Sequence, residues 1–170
     1  MKNNLLTEAI KEVNRKKYDA YILPLTNQHL YEFTDDVDNY IVELTGFTGD
    51  TATIIIDKKK IYLLVDGRFS IQARNEINDR RIEVIDIGSN YTIYDFIIEK
   101  YKKKSVIGLN PKLHSTIYVE KLNEFVKEMG YRISYDDKFL YKEFQEAKSK
   151  CFKLTSAPLF YLDKKYVSKS

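Results

Sequence analysis

This 170-residue chain is poor in the residues that carry metal and redox chemistry, with one cysteine, two histidines and no tryptophan. A lone thiol, Cys151, cannot close an intrachain disulfide, which suits a reducing compartment. Lys150 and Lys153 lie near it, but a catalytic thiol needs an imidazole and a prepared pocket, so Cys151 is read as chemically idle. The two imidazoles, His29 and His114, fall in predicted loops far apart, without an H-x-x-x-H pattern or a bracketing carboxylate pair. A site for hard divalent cations needs carboxylates and an imidazole converging on one cavity. No catalytic residue and no metal ligand is therefore assigned in this chain.

Long apolar runs are missing too. None approaches the ~20 residues that a membrane-spanning helix requires. The N-terminus lacks a signal-peptide core, since Leu5, Leu6, Ala9, Ile10 and Val13 recur as one face of an amphipathic helix. A cytoplasmic location is expected, with no membrane partner. Nor is there a surplus of one charge, because 28 basic residues against 25 acidic ones leave a net +3. A nucleic-acid binder would concentrate basic residues on one face. The tight clusters here, Lys58 to Lys60 and Lys102 to Lys104, stand at predicted turns beside strands, where they are solvated and discourage edge pairing. No nucleic-acid partner is expected.

What is present is a layered pattern. Ala20 to Pro24 reads as a short buried strand closed by proline, which cannot donate to a ladder. Thr26 to Leu44 reads as loop and short helix. Thr51 to Ile56 and Ile61 to Val65, two β-branched-rich runs a few polar residues apart, read as a hairpin. Asp66-Gly67-Arg68 then opens a helix with Phe69, Ala73 and Ile77 on one stripe, and Gly67 is expected to relieve a sharp turn. Ile82 to Ile87, Val106 to Leu109 and the alternating Tyr131, Ile133 and Tyr135 are further strands. Between them lie helices begun by Thr92 with Asp95 and by Ser115 or Thr116, the second ended by Gly130. Helical crossovers give parallel neighbours and a hairpin an antiparallel one, so an α/β fold with a mixed sheet follows.

The run from Thr45 to Ala73 also carries a resemblance. Thr45-Gly46-Phe47-Thr48-Gly49, the hairpin, Asp66-Gly67-Arg68-Phe69 and Gln72-Ala73 fall without a gap into a pattern of the form S-G-F-x-G … D-G-R-Y-x-x-Q-A. Upstream, Pro24, Asn27, His29, Glu32 and Phe33 fit P-x-x-D-x-H-x-S-E-Y, with Asn27 at the Asp position. The chain thereby resembles the first domain of the three-domain Xaa-Pro aminopeptidases, relatives of creatinase and prolidase. It departs from the pattern at Tyr31, Asp50, Ala52 and Leu64, at Tyr40-Ile41 where two Arg are common, and at Ser168.

The resemblance implies a three-layer α/β/α fold of the creatinase N-terminal type, with a ribonuclease H-like motif, over residues 1–145. Residues 146–170 would then be a linker and the start of a second domain, with Leu159 to Tyr166 as its first strand. It further implies a non-catalytic N-terminal domain that helps shape substrate access and assembly in a metal-dependent peptidase removing a residue that precedes proline. Two divalent metals, typically manganese, would be held in a catalytic domain not contained in this chain. The expected partners are the second and catalytic domains of the parent chain, and peptide substrate through them. His29, Glu32, Asp66 and Arg68 are the candidate interdomain or substrate-entrance residues, Asp66 and Arg68 also being expected to form a buried ion pair at their turn. His114 is expected on the surface. The final strand, lacking neighbours, is expected to be disordered or to pair with another molecule as a homodimer produced by truncation. Two other readings stay open: a stand-alone interaction module or domain of an inactive peptidase homologue, and a magnesium-dependent nuclease built on Asp57, Asp66 and Asp86.

Overall fold

Strands follow the apolar runs closely, and helices begin where a side chain caps them. The computed structural model describes residues 2–27, 29–30 and 39–140. Its elements are α1 (Lys2–Arg15), β1 (Ala20–Pro24), α2 (Tyr40–Thr45), β2 (Thr53–Asp57), β3 (Ile61–Asp66), α3 (Ser70–Glu76), β4 (Ile82–Ile87), α4 (Ile93–Lys100), β5 (Val106–Leu109), a 3-10 turn (Pro111–Leu113), α5 (Thr116–Met129) and β6 (Arg132–Tyr135). Thr92 and Asp95 form a reciprocal capping box at α4, and Ser115 caps α5 through the Tyr118 amide.

The described residues form one six-stranded sheet, in the order β4-β3-β2-β1-β5-β6. β2 runs antiparallel to both β1 and β3, while β3 with β4, and β1 with β5 and β5 with β6, are parallel pairs. A strand sends alternate side chains to opposite faces. Ile54 and Ile56, with Tyr21, Leu23, Leu63 and Val65, therefore meet Leu6, Ala9 and Val13 of α1, Ile41 and Leu44 of α2, and Ala73 of α3. Ile55, with Ile22, Tyr62, Leu64, Ile107 and Leu109, meets Phe96 and Ile97 of α4 and Leu122 and Val126 of α5. Both faces are covered, which is why the central strands read as unbroken apolar runs. The expected three-layer α/β/α arrangement is what forms.

The core reaches further along the chain than the sequence periodicity suggests. Phe139 and Leu140 follow the last alternating strand yet are buried, and the Phe139 ring stacks on Tyr21 with centroids 3.7 Å apart. The Asp136 amide donates to the Leu109 carbonyl, adding one bond to the β5–β6 ladder, and the Asp136 carboxylate then accepts the Lys138 amide in the turn that follows. The expected boundary near 145 and the strand expected at Leu159 to Tyr166 lie outside the described residues.

Candidate functional site

Because β2 alone among the described strands runs against the others, the segments leaving β1, β3, β4, β5 and β6 emerge at one end of the sheet. The segment entering β2 joins them there. Ligands of open α/β sheets collect at this carboxyl edge. His29, beyond β1, and Asp66 with Arg68, at the end of β3, belong to it. Glu32 lies outside the described residues.

At the β3–α3 turn the Asp66 carboxylate accepts the Arg68 backbone amide at 2.9 Å and its Nη2 at 2.7 Å, while the Phe69 amide donates to the Asp66 carbonyl. The expected ion pair therefore exists, but it is not buried: the Arg68 side chain is 75% exposed. Only the Phe69 side of the turn faces the core. The guanidinium lies over the Phe69 ring, 5.4 Å from the centroid. The hydrogen bond from Arg68 holds the Asp66 carboxyl below its usual range. Gly67 keeps an ordinary negative-φ backbone with open space where a Cβ would project. The Asp66 carboxylate, rather than the glycine, makes the turn.

The segment entering β2 is held more firmly than its exposure suggests. Gly46 ends α2 in the left-handed region at φ 85°, its amide donating to the Val42 carbonyl. Phe47 is fully buried and meets Phe69 edge-on, with centroids 6.1 Å apart. Gly49 lies so close over that ring that a Cβ there would come within 2.2 Å of it. The T-G-F-T-G motif is thus a loop with its aromatic driven inward and its second glycine pressed against the ring. Thr48 faces the opposite way, giving its amide and hydroxyl to the Glu76 carboxylate at 2.8 and 2.7 Å.

After β1, Asn27 is buried and builds the turn that carries His29. Its side-chain oxygen accepts the His29 amide at 2.9 Å, and its carbonyl accepts the Leu30 amide. Asn27 fills the position where the sequence pattern has Asp, and either oxygen serves an Asx-type turn.

The three strand-end aspartates do not share one end of the sheet. Asp57 pairs with Ala20 at the opposite end of the sheet and accepts the Lys59 and Lys60 amides in the hairpin turn. Asp86 accepts from Ser70 and Arg74. Asp57, Asp66 and Asp86 cannot converge on one magnesium ion, which removes the nuclease reading. Among the described residues no three of His, Cys, Asp and Glu come together as metal ligands would. His114 is not the surface residue expected. Its ring stacks on Tyr118 at 4.6 Å, its Nε2 is buried without a partner, and burial pushes its pKa down to about 4.

A second polar corner escaped the sequence reading. Asp136, at 9% exposure, binds the Lys16 ammonium, the Tyr18 hydroxyl at 3.0 Å and the Lys138 amide at 3.0 Å, while its carbonyl accepts the Tyr21 hydroxyl at 2.8 Å. Burial pushes its carboxyl pKa up, but the Lys16, Lys138 and Tyr18 donors outweigh this, and the net direction is down. The signal that marks this corner is the apolar pair Phe139-Leu140 just beyond the last alternating strand.

With the fold and the edge described, comparison with known proteins identifies the class. Residues 6–155 match the Creatinase/Prolidase N-terminal domain, so the chain belongs to that family. An Xaa-Pro aminopeptidase of Caenorhabditis elegans is 31% identical over 96 residues, which are 55% of this chain and 16% of that protein. Aminopeptidase P2 of Arabidopsis thaliana is 29% identical over 119 residues, 69% of this chain and 17% of that protein. The chain thus spans about a sixth of these relatives' length. Among solved structures, the X-prolyl aminopeptidase of C. elegans, described as a cytosolic enzyme with a di-nuclear active site, superposes with a TM-score of 0.81 at 24% identity. That match covers 96% of this chain and 28% of the nematode chain. A Streptococcus thermophilus aminopeptidase P structure superposes at 0.62, with 22% identity, over 85% of this chain and 98% of that one. No helix among the described residues is long and apolar enough to cross a membrane.

Proposed function

We propose that this chain is the non-catalytic N-terminal domain of a metal-dependent Xaa-Pro aminopeptidase, with its carboxyl edge turned toward the catalytic domain and framing substrate access. The observation that carries the reading is the fit of nearly the whole chain to little more than a quarter of a cytosolic, di-nuclear X-prolyl aminopeptidase. The residues described here do not suit a metal pair. Asp66 is committed to Arg68, Asp86 to Ser70 and Arg74, and Glu76 to Thr48. On this reading the two divalent metals, manganese by family resemblance, belong to the catalytic domain, where they activate water and polarise the scissile carbonyl. His29, Glu32, Asp66 and Arg68 act at the interdomain or entrance surface, and the protein works in the cytoplasm.

The test has two arms. The purified 170-residue chain, with and without manganese, should not cleave an Xaa-Pro peptide; turnover would overturn the non-catalytic assignment. The protein in which this domain is joined to its catalytic domain should cleave the same peptide only with metal. Failure there would favour a domain of an inactive homologue.

A further inference from the structure

We propose that Glu76 is a positioning residue that clasps the Gly46–Thr51 loop to α3, making this part of the carboxyl edge a fixed wall rather than a moving lid. The loop is gripped at two points. Inside, Phe47 is fully buried against Phe69, with Gly49 pressed on its ring. Outside, one Glu76 oxygen accepts the Thr48 amide, and the other accepts both the Thr48 hydroxyl and the Gln72 side-chain amide at 2.9 Å. Gln72 also donates to the Thr48 hydroxyl oxygen at 3.1 Å, closing the network.

Local rules disfavour Glu76 where it stands. It is the last residue of α3, where the helix dipole opposes a negative charge. An isolated helix would place a basic residue there, as α3 does with Arg74. A residue that breaks a local preference needs a compensating role, and three hydrogen bonds joining Glu76 and Gln72 to Thr48, 24 to 28 positions earlier, supply it, with a fourth tying Gln72 to Glu76. Bonds to a carboxylate are the stronger kind. The loop next to the β3–α3 turn thereby holds Asp50 in the field of Arg68, whose pKa it helps raise after the larger effect of Asp66. That this wall borders a substrate entrance rests on the proposed function; the clasp itself does not.

Hydrogen exchange on the 170-residue chain tests it. In the wild type the Thr48 amide should be protected. In Glu76→Ala its exchange should accelerate roughly tenfold to a hundredfold, the range for losing a hydrogen bond to a charged group, while the Ile55 and Leu63 amides keep their rates. Glu76→Gln, which keeps the shape and one acceptor, should fall between and remain available if the alanine variant does not fold. A Thr48 amide that exchanges as fast in the wild type as in a free loop, or is unmoved in either folded variant, overturns the clasp. In the protein joined to its catalytic domain, Glu76→Ala should raise KM with kcat little changed. Accelerated exchange with KM unmoved would uphold the clasp and retire the entrance reading instead.

Discussion

Two corners of this domain are each built around an aspartate facing a basic residue, and they differ in depth. At Asp136 the carboxylate is nearly enclosed, and a lysine, a tyrosine hydroxyl and a backbone amide converge on it beneath the stacked Tyr21 and Phe139 rings. At Asp66 the partner arginine stands three-quarters exposed in solvent. An exposed pair contributes little to stability, whereas opening an enclosed one strands a desolvated charge. The charged pair of the family-like motif therefore lies where folding demands little of it, although Phe47 of the same motif is fully buried. The unremarked corner is the one that closes the core.

Stability measurements on variants of the two corners sharpen that contrast. Phe139→Ala should have the largest effect, lowering stability by about 3 kcal/mol through a cavity beneath Tyr21; a loss under about 1 kcal/mol in denaturant titration would move the domain boundary back to Asp136. Asp136→Ala should cost about 2 kcal/mol, since it removes the acceptor of the Tyr18 hydroxyl and leaves the Lys16 ammonium with only the more distant Glu12 carboxylate at 3.7 Å.

The pH dependence should separate the corners next. The native Asp136 pKa lies below the ordinary 3.8, so its contribution is present above that value and is lost as pH falls through the native pKa. Asp136→Asn should flatten the acid limb of stability below about pH 4. Asp66→Asn should change it less, because water screens that pair; equal flattening would erase the distinction. The smallest effects belong to the exposed turn. Arg68→Ala should leave the melting temperature unchanged, and Gly67→Ala should be neutral or raise stability by up to about 1 kcal/mol, because its backbone already suits alanine.

The elements that were legible in the sequence are those set by local chemistry. β1 and β5 begin and end where the apolar runs do, because Pro24 stops one and Asn110-Pro111 the other. The α4 box and the α5 caps were readable from Thr92, Asp95, Ser115 and Gly130. Depth and long-range pairing were not. Asp66 and Arg68 name each other across one residue, but nothing local says which side of the sheet's end their turn faces. Glu76 finds Thr48 only after the hairpin has brought α3 beside the β2 entry. Phe139 shows no periodicity because it packs as a single plug, and His114 seemed a surface residue until Tyr118 covered it.

The central position of β1 has a consequence in time. Its first paired neighbour, β2, follows within the same half of the chain, but its other neighbour is β5, with Ala20 opposite Ile107. Contacts so distant along the chain form late, after the entropy of closing a long loop has been met. While the protein is being synthesised, the β1–β4 half emerges first with β1 as an edge, one flank unpaired, and the face beneath α4 and α5 uncovered. Not until Phe139 has left the ribosome is Tyr21 covered. The ribosome therefore presents an open sheet edge for the whole interval between β1 and β5. A stalled chain ending before Val106 should be captured by chaperones, whereas one ending well beyond Leu140 should escape them.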